Sequence, residues 1–224
     1  MKICVLIPSY NEARTIGQVI RDVRARNLAA YVVDDGSSDN TAAIAASEGA
    51  VVIRQPANKG KGAALREGFK NVLAAGFDAV IAMDADGQHS ADDIDNLIRR
   101  MDGTGADMII GNRMDDTAAM PGTRVYTNRF MSHLISMVAG QYIPDSQSGY
   151  RLIKRKVLET ISLESSNYEI ESEMIIMAAR SGFRIEAAPI KTVYQDEKSR
   201  INPVIDTWRF ILFMVKIAFR RGAR

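Results

Sequence analysis

Short apolar runs alternate with segments of helical periodicity through the first half of this chain, and that alternation limits its fold more than any other feature. Residues 2–8, 30–34, 51–54, 79–83 and 106–111 read as strands. Between them, the stretches near 12–27, 38–48, 60–75 and 91–101 carry the helical period. Strands and helices in strict alternation predict an α/β architecture with a mixed, mostly parallel sheet flanked by helices. The 224 residues suffice to bury one core, and 46% hydrophobic with 25% charged residues is ordinary for a globular chain. Past residue 115 come a polar loop with Pro121-Gly122, a helix over about 123–139, a loop from Pro144 into a strand after Arg151, and a helix near 169–180. Two short strands around 183–194 follow, and Pro203 opens a last helix to about residue 221. Residues 1–202 are therefore expected to form one domain, 1–113 as its first half and 114–202 as an elaboration, with 203–224 a basic amphipathic helix.

In open sheets of this kind ligands bind beyond the carboxyl ends of the strands. Four such ends carry informative residues: Pro8-Ser9-Tyr10-Asn11-Glu12, Asp34-Asp35-Gly36-Ser37-Ser38-Asp39, Asp84-Ala85-Asp86-Gly87-Gln88-His89 and Gly111-Asn112-Arg113. Asp84-Ala85-Asp86 closes the run Ala79-Val80-Ile81-Ala82-Met83, and an extended backbone sends both carboxylates to one face. A hard cation such as Mg²⁺ or Mn²⁺ takes few protein carboxylates and completes its shell with phosphate oxygens, so the pair suits a metal-diphosphate site; Asp86 could equally start a turn with Gly87. After Val32-Val33, Asp34 and Asp35 could accept from a nucleobase or ribose, while Ser38 or Asp39 could cap the next helix. Asn58-Lys59-Gly60-Lys61-Gly62 opens a helix whose amides and lysines could meet a phosphate, or could form a loop with solvated lysines. It has neither the P-loop spacing nor the dinucleotide-binding one.

Several function classes are disfavoured. A net charge of +2 argues against a nucleic-acid partner. The lone Cys4 cannot form an internal disulfide, and the apolar run at residues 3–7 is too short for a signal peptide before Pro8, so the expected compartment is the cytoplasm. His89 and His133 carry little signal by themselves.

Taken together, Pro8-Ser9-Tyr10-Asn11-Glu12, Val33-Asp34-Asp35-Gly36-Ser37-Ser38-Asp39-Asn40-Thr41, Asn58-Lys59-Gly60-Lys61-Gly62 and Met83-Asp84-Ala85-Asp86-Gly87-Gln88-His89 resemble, in order, the motifs of inverting family-2 glycosyltransferases of the GT-A fold. Asp145-Ser146-Gln147-Ser148-Gly149-Tyr150-Arg151 looks like a segment of the dolichol- and polyprenyl-phosphate mannose synthase branch. The resemblance implies Pro8, Tyr10, Glu12 and Asp35 at the nucleoside, with Asp35 reading the base. It implies Asp84, Asp86 and Gln88 at metal and diphosphate, with Lys61 and Ala85 in the same donor set. Arg113, Arg124, Arg129 and Arg200 would face donor or acceptor phosphate. The branch pattern is broken at Tyr194 and Glu197. The implied activity moves a hexosyl group from GDP-mannose or a UDP-sugar to a polyprenyl phosphate, and the alternative is transfer to a hydroxyl of a saccharide or other small acceptor. A hydroxyl acceptor needs a general base, for which Asp145 is the first candidate and Glu171 and Glu173 follow. A nucleotide-sugar-binding protein without turnover is disfavoured because the paired acids and Arg113 are all present. Sugar nucleotidyltransferases are disfavoured because their glycine-rich loop after the first strand is missing.

The last helix sets Trp208, Leu212, Val215 and Phe219 on one stripe and Arg209, Lys216 and Arg220 on another side. Charges at 209 and 216 make it too interrupted to span a bilayer. It suits the membrane interface, which would make the protein peripheral at the inner face of the membrane; packing on the sheet or a homo-oligomer contact would use the same stripe.

Overall fold

A computed structural model of the protein describes residues 1–118, 120–191, 210, 212–214 and 217. The first four strands are β1 (Ile3–Ser9), β2 (Ala29–Asp34), β3 (Val51–Arg54) and β4 (Ala79–Ala82). They are connected through α1 (Ile16–Arg24), α2 (Thr41–Ser47) and α3 (Lys61–Ala74). A short 3-10 turn and α4 (Ile94–Thr104) lead to β5 (Met108–Asn112) and α5 (Gly122–Ala139). Then come β6 (Arg151–Lys154), α6 (Arg155–Thr160), α7 (Glu169–Arg180) and β7 (Ile185–Pro189). The seven strands form one sheet in the order β3-β2-β1-β4-β6-β5-β7. All pairings are parallel except those of β6, which lies antiparallel between β4 and β5.

The strands read as unbroken apolar runs because both sheet faces are covered. Along β1, Cys4 and Leu6 enter the layer packed by α3, α5 and α7, while Val5 and Ile7 enter the layer packed by α1 and α4. All four are fully buried, each aliphatic one contributing about 1.5–3 kcal/mol. Burial pushes the Cys4 thiol up to about 12, as suits a small apolar filler.

The sequence reading differs from the structure at three places. Helix α1 starts at Ile16, not near residue 12, because the Glu12 carbonyl accepts the Thr15 and Ile16 amides in a turn that follows Asn11, whose φ is 54°. Helix α4 runs on to Thr104 and stops at the left-handed Gly105. The six-residue α6 was too short to show a period. Of the two strands expected around 183–194, β7 is one; the other lies outside the described residues.

Candidate active site

The carboxyl ends of β1 and β2 are laced together by short polar side chains. The Asp35 amide donates to the Ser9 carbonyl at 2.8 Å, the Asn11 amide to Ser37 Oγ at 2.9 Å, and the Glu12 amide to Thr41 Oγ1 at 2.8 Å. Asn11 Oδ1 in turn accepts the Ser38 amide. These bonds fix residues 8–12 and 34–41 as one rim, with Pro8 buried, Glu12 partly exposed and Tyr10 exposed. Asp35 is buried, and its two oxygens accept the Lys59 and Gly60 amides at 2.8 Å each. Burial raises its pKa against those amides. The residue expected to read a base thus also holds the 57–60 turn in place. Beside it, Gly36, Ser37, Arg54, Gln55 and Pro56 line a depression of about 350 Å³.

Strand β4 ends at Ala82, and the chain then turns at Ala85-Asp86, with Asp84 and Asp86 partly exposed and Ala85 buried. The turn beyond is built from its own groups. Asp86 Oδ1 accepts the Gln88 amide at 2.9 Å, and the Ala85 carbonyl accepts the Thr15 hydroxyl at 2.7 Å. The Asp84 amide donates to His89 Nδ1 at 3.2 Å, so this nitrogen carries no proton. Burial lowers the His89 pKa despite Asp84 and Asp86, keeping the ring neutral, and it stacks on Tyr150 at 4.9 Å. Among the described residues no group of three or more His, Cys, Asp or Glu side chains is arranged to hold a metal ion by itself. Two hard carboxylates at a rim match a cation that draws its remaining ligands from phosphate.

A partly buried ion cluster closes the other side of this rim. Lys61 Nζ lies 2.5 Å from Asp84 Oδ1 and 2.7 Å from Glu171 Oε1. Burial opposes the charge of Lys61, but the two carboxylates outweigh it and hold the ammonium above its ordinary pKa. Lys61 thereby lowers the pKa of Asp84 against the effect of burial. Gly149 lies against all three: a Cβ there would come within 2.8 Å of Asp84, 2.9 Å of Glu171 and 3.0 Å of Lys61. Fully buried Arg151 ties the cluster down by donating to the carbonyls of Glu171 at 2.5 Å, Ser146 at 3.0 Å and Ser148 at 2.9 Å. The opening amides of α3 are not directed at a ligand. Gly62 and Ala63 donate to the Ser166 carbonyl at 2.9 and 3.2 Å, and the glycine at 62 is required because the 165–167 loop passes where its Cβ would be. What this motif offers the site is the Lys61 side chain.

Arg113, just past β5, grips Asp145 with Nε to Oδ2 at 2.8 Å and Nη2 to Oδ1 at 2.9 Å, a bidentate pair. Its backbone amide also donates to Oδ2 at 3.1 Å. Asp145 is fully buried, a setting different from that of a base open to an acceptor. Glu173 is equally withdrawn, its carboxylate accepting the Glu164 and Ser165 amides.

Residues 4–162 match the family model for glycosyl transferase family 2. The chain belongs to that family. One relative is the UDP-N-acetylglucosamine–dolichyl-phosphate N-acetylglucosaminyltransferase of Methanococcus voltae, 31% identical over 87% of this chain and 86% of its own length. Another is the polyprenol monophosphomannose synthase of Mycolicibacterium smegmatis, 30% identical over 83% and 75%. Among solved structures, glucosyl-3-phosphoglycerate synthase from Mycobacterium tuberculosis in complex with Mn²⁺, uridine diphosphate and phosphoglyceric acid superposes with a TM-score of 0.76. That match has 20% identity and covers 97% of this chain and 78% of the other. The fold is the GT-A fold expected from the motifs.

Within this glycosyltransferase the structure gathers Lys61, Asp84, Asp86, Gln88, Arg113 and Asp145 around the ends of β4 and β5, with Pro8, Tyr10, Glu12 and Asp35 on the adjoining rim. Arg124 and Arg129 are exposed on α5. Arg200, Tyr194 and Glu197 lie outside the described residues. So does most of 203–221, of which Phe210, Phe213 and Ile217 are buried in the α5 and α7 layer while Leu212 is exposed. The sequence ranks Glu171 low, sets His89 only near the diphosphate after Gln88, and gives Arg151 and Gly149 no role of their own. Only the Ser-Gly-Tyr-Arg order after Asp145 hinted at two of them.

Proposed function

We propose that this family-2 glycosyltransferase moves a hexosyl group from a nucleotide sugar to a polyprenyl phosphate, with a divalent cation, Mg²⁺ or Mn²⁺, held by Asp84 and Asp86. The observation that carries this reading is the Asp84–Lys61–Glu171 cluster at the carboxyl end of β4, which sets two carboxylates and a fixed ammonium where a sugar diphosphate would enter. When bound, the cation neutralises charge developing on the departing diphosphate. Pro8, Tyr10, Glu12 and Asp35 hold the nucleoside, and Gln88 and Ala85 border the diphosphate. The relatives named for dolichyl and polyprenyl acceptors support a lipid phosphate.

The reaction is an inverting displacement. A phosphate oxygen of the acceptor bonds to the anomeric carbon as the bond to the diphosphate oxygen breaks, and the nucleoside diphosphate leaves with that electron pair. A phosphate is already ionised near neutral pH and needs no strong base. The burial of Asp145 against Arg113 favours this over a hydroxyl acceptor, because Asp145 then serves to aim Arg113 at phosphate charge and not to remove a proton. Arg124, Arg129 and Arg200 would add positive charge on the acceptor side. No helix among the described residues is long and apolar enough to cross a membrane. The lipid would be met at the inner, cytoplasmic face of the membrane, with residues 203–221 as one contact.

The test is incubation with Mn²⁺ or Mg²⁺ and a panel of UDP- and GDP-sugars, with and without polyprenyl phosphate. The expected result is labelled sugar in the organic phase only when lipid phosphate and metal are both present. Label transferred to a saccharide hydroxyl, with none on the lipid, would overturn the acceptor assignment.

A further inference from the structure

Helix α5 has two apolar faces, and only one of them is covered. Its inner face buries Ser132, Ile135 and Ala139, with Met131, Leu134 and Val138 packed against the core. On the opposite side Tyr126, Phe130 and Met137 are 74%, 52% and 59% exposed. They fall on a single stripe at helical spacing, with exposed His133 completing it. A helix on a soluble surface normally keeps its outer face polar, and single exposed apolar residues are unremarkable, but three in register on one helix mark an interaction site. The first half of α5, residues 122–131, has no buried residue at all.

The charges choose the partner. Between Asp116 and Asp145 the chain has no Asp or Glu, and its charged groups there, Arg124 and Arg129, are both exposed. We infer that the outer face of α5 docks on an anionic lipid surface. An 18-residue helix lying flat covers about 27 Å of such a surface. Tyr126 suits the headgroup layer and Phe130 and Met137 the acyl boundary; Arg129 flanks the stripe and adds about 1 kcal/mol near anionic lipid, while Arg124 lies on the far side of the helix. A second copy of the chain fits less well, since α5 carries no acid that could pair with an arginine of a facing α5. The position also serves the chemistry. Ser146, next to Asp145, bonds to Ser132 on the inner face of α5, so the Arg113–Asp145 pair lies one helix diameter, about 10 Å, beneath the docked face. In this respect the inference rests on the lipid-phosphate acceptor proposed above, while the stripe and its charge stand on their own.

The experiment compares the full chain with its triple variant Tyr126→Ser, Phe130→Ser, Met137→Ser. Flotation uses vesicles of phosphatidylcholine with phosphatidylglycerol and vesicles of phosphatidylcholine alone, and light scattering gives the mass of both proteins in solution. The wild-type chain should float with the anionic vesicles and the variant at least about tenfold less, with circular dichroism and transfer to a short, water-soluble polyprenyl phosphate unchanged. Equal flotation of both proteins overturns the inference and leaves residues 203–221 as the contact. Failure of the wild type to float also overturns it, as does a wild-type dimer that the variant cannot form. Stripe-dependent flotation without any transfer to polyprenyl phosphate upholds the docking face and removes the acceptor reading alone.

Discussion

The two sides of the candidate site are held by different forces. On the nucleoside side, the ends of β1 and β2 are joined by the Asp35 amide on the Ser9 carbonyl and by the side chains of Asn11, Ser37 and Thr41 bonded to backbone amides. On the acceptor side, charged side chains reach across the chain: Lys61 to Glu171, Arg113 to Asp145, and Arg151 to the Glu171 carbonyl. The bonds between the β1 and β2 ends are neutral, several in number and individually worth about 1 kcal/mol, whereas the second kind rests on a few partly or fully buried charges. Loss of one bond on the nucleoside side should therefore be absorbed, and loss of one charge on the acceptor side should not.

Asp145→Ala tests the second half of that contrast and should have the largest effect. It removes the fully buried carboxylate that Arg113, with a side chain 17% exposed, grips bidentately, and removal of one partner of such a pair costs about 3 kcal/mol. At this chain length that lowers Tm by about 6–12 °C, read by calorimetry. A change within error would mean that the pair contributes as little as a surface salt bridge. Gly149→Ala comes next. Its new methyl displaces the ends of Asp84, Glu171 and Lys61, which can shift at small cost to the fold, so kcat should fall about tenfold while Tm hardly moves. Unchanged turnover would detach the cluster from the chemistry. Asp35→Ala should have the smallest effect on the chemical step. Loss of its bonds to Lys59 and Gly60 loosens the nucleoside rim, raising the donor KM about tenfold with kcat nearly constant in steady-state kinetics. A fall in kcat with constant KM would place Asp35 on the wrong side of the comparison.

The same contrast explains what could be read from the sequence. The nucleoside side follows a local rule, in which an apolar run ends and the next few residues carry the function, so Pro8–Glu12, Asp34-Asp35 and Asp84–Gln88 were all visible. Even there, the occupation of Asp35 by the 59–60 amides is a tertiary fact that its own segment does not encode. The acceptor side depends on partners distant in sequence. Glu171 looked like the charged face of a helix because nothing near it names Lys61, 110 positions earlier, and Asp145 looked like an open base because its burial depends on Arg113. The glycines at 60 and 62 suggested a phosphate cradle, yet their space is filled by the 165–167 loop, which no local pattern announces. Strand β6 was legible as a strand, but its antiparallel place between β4 and β5 was not, and that insertion is what carries the Asp145–Arg151 loop to the end of β4.

The central claim is that Asp84 and Asp86 hold a divalent cation for the donor diphosphate. Titration of Mn²⁺ followed by its electron spin resonance signal, in the presence of nucleoside diphosphate, tests this on the wild-type chain and on the Asp84→Asn, Asp86→Asn double variant. Both residues are partly exposed, so the variant should keep its circular dichroism spectrum. The wild type should bind Mn²⁺ in a diphosphate-dependent way, and the double variant should lose that binding and about a thousandfold in transfer rate. Equal Mn²⁺ binding by both proteins, with transfer intact, would contradict the claim.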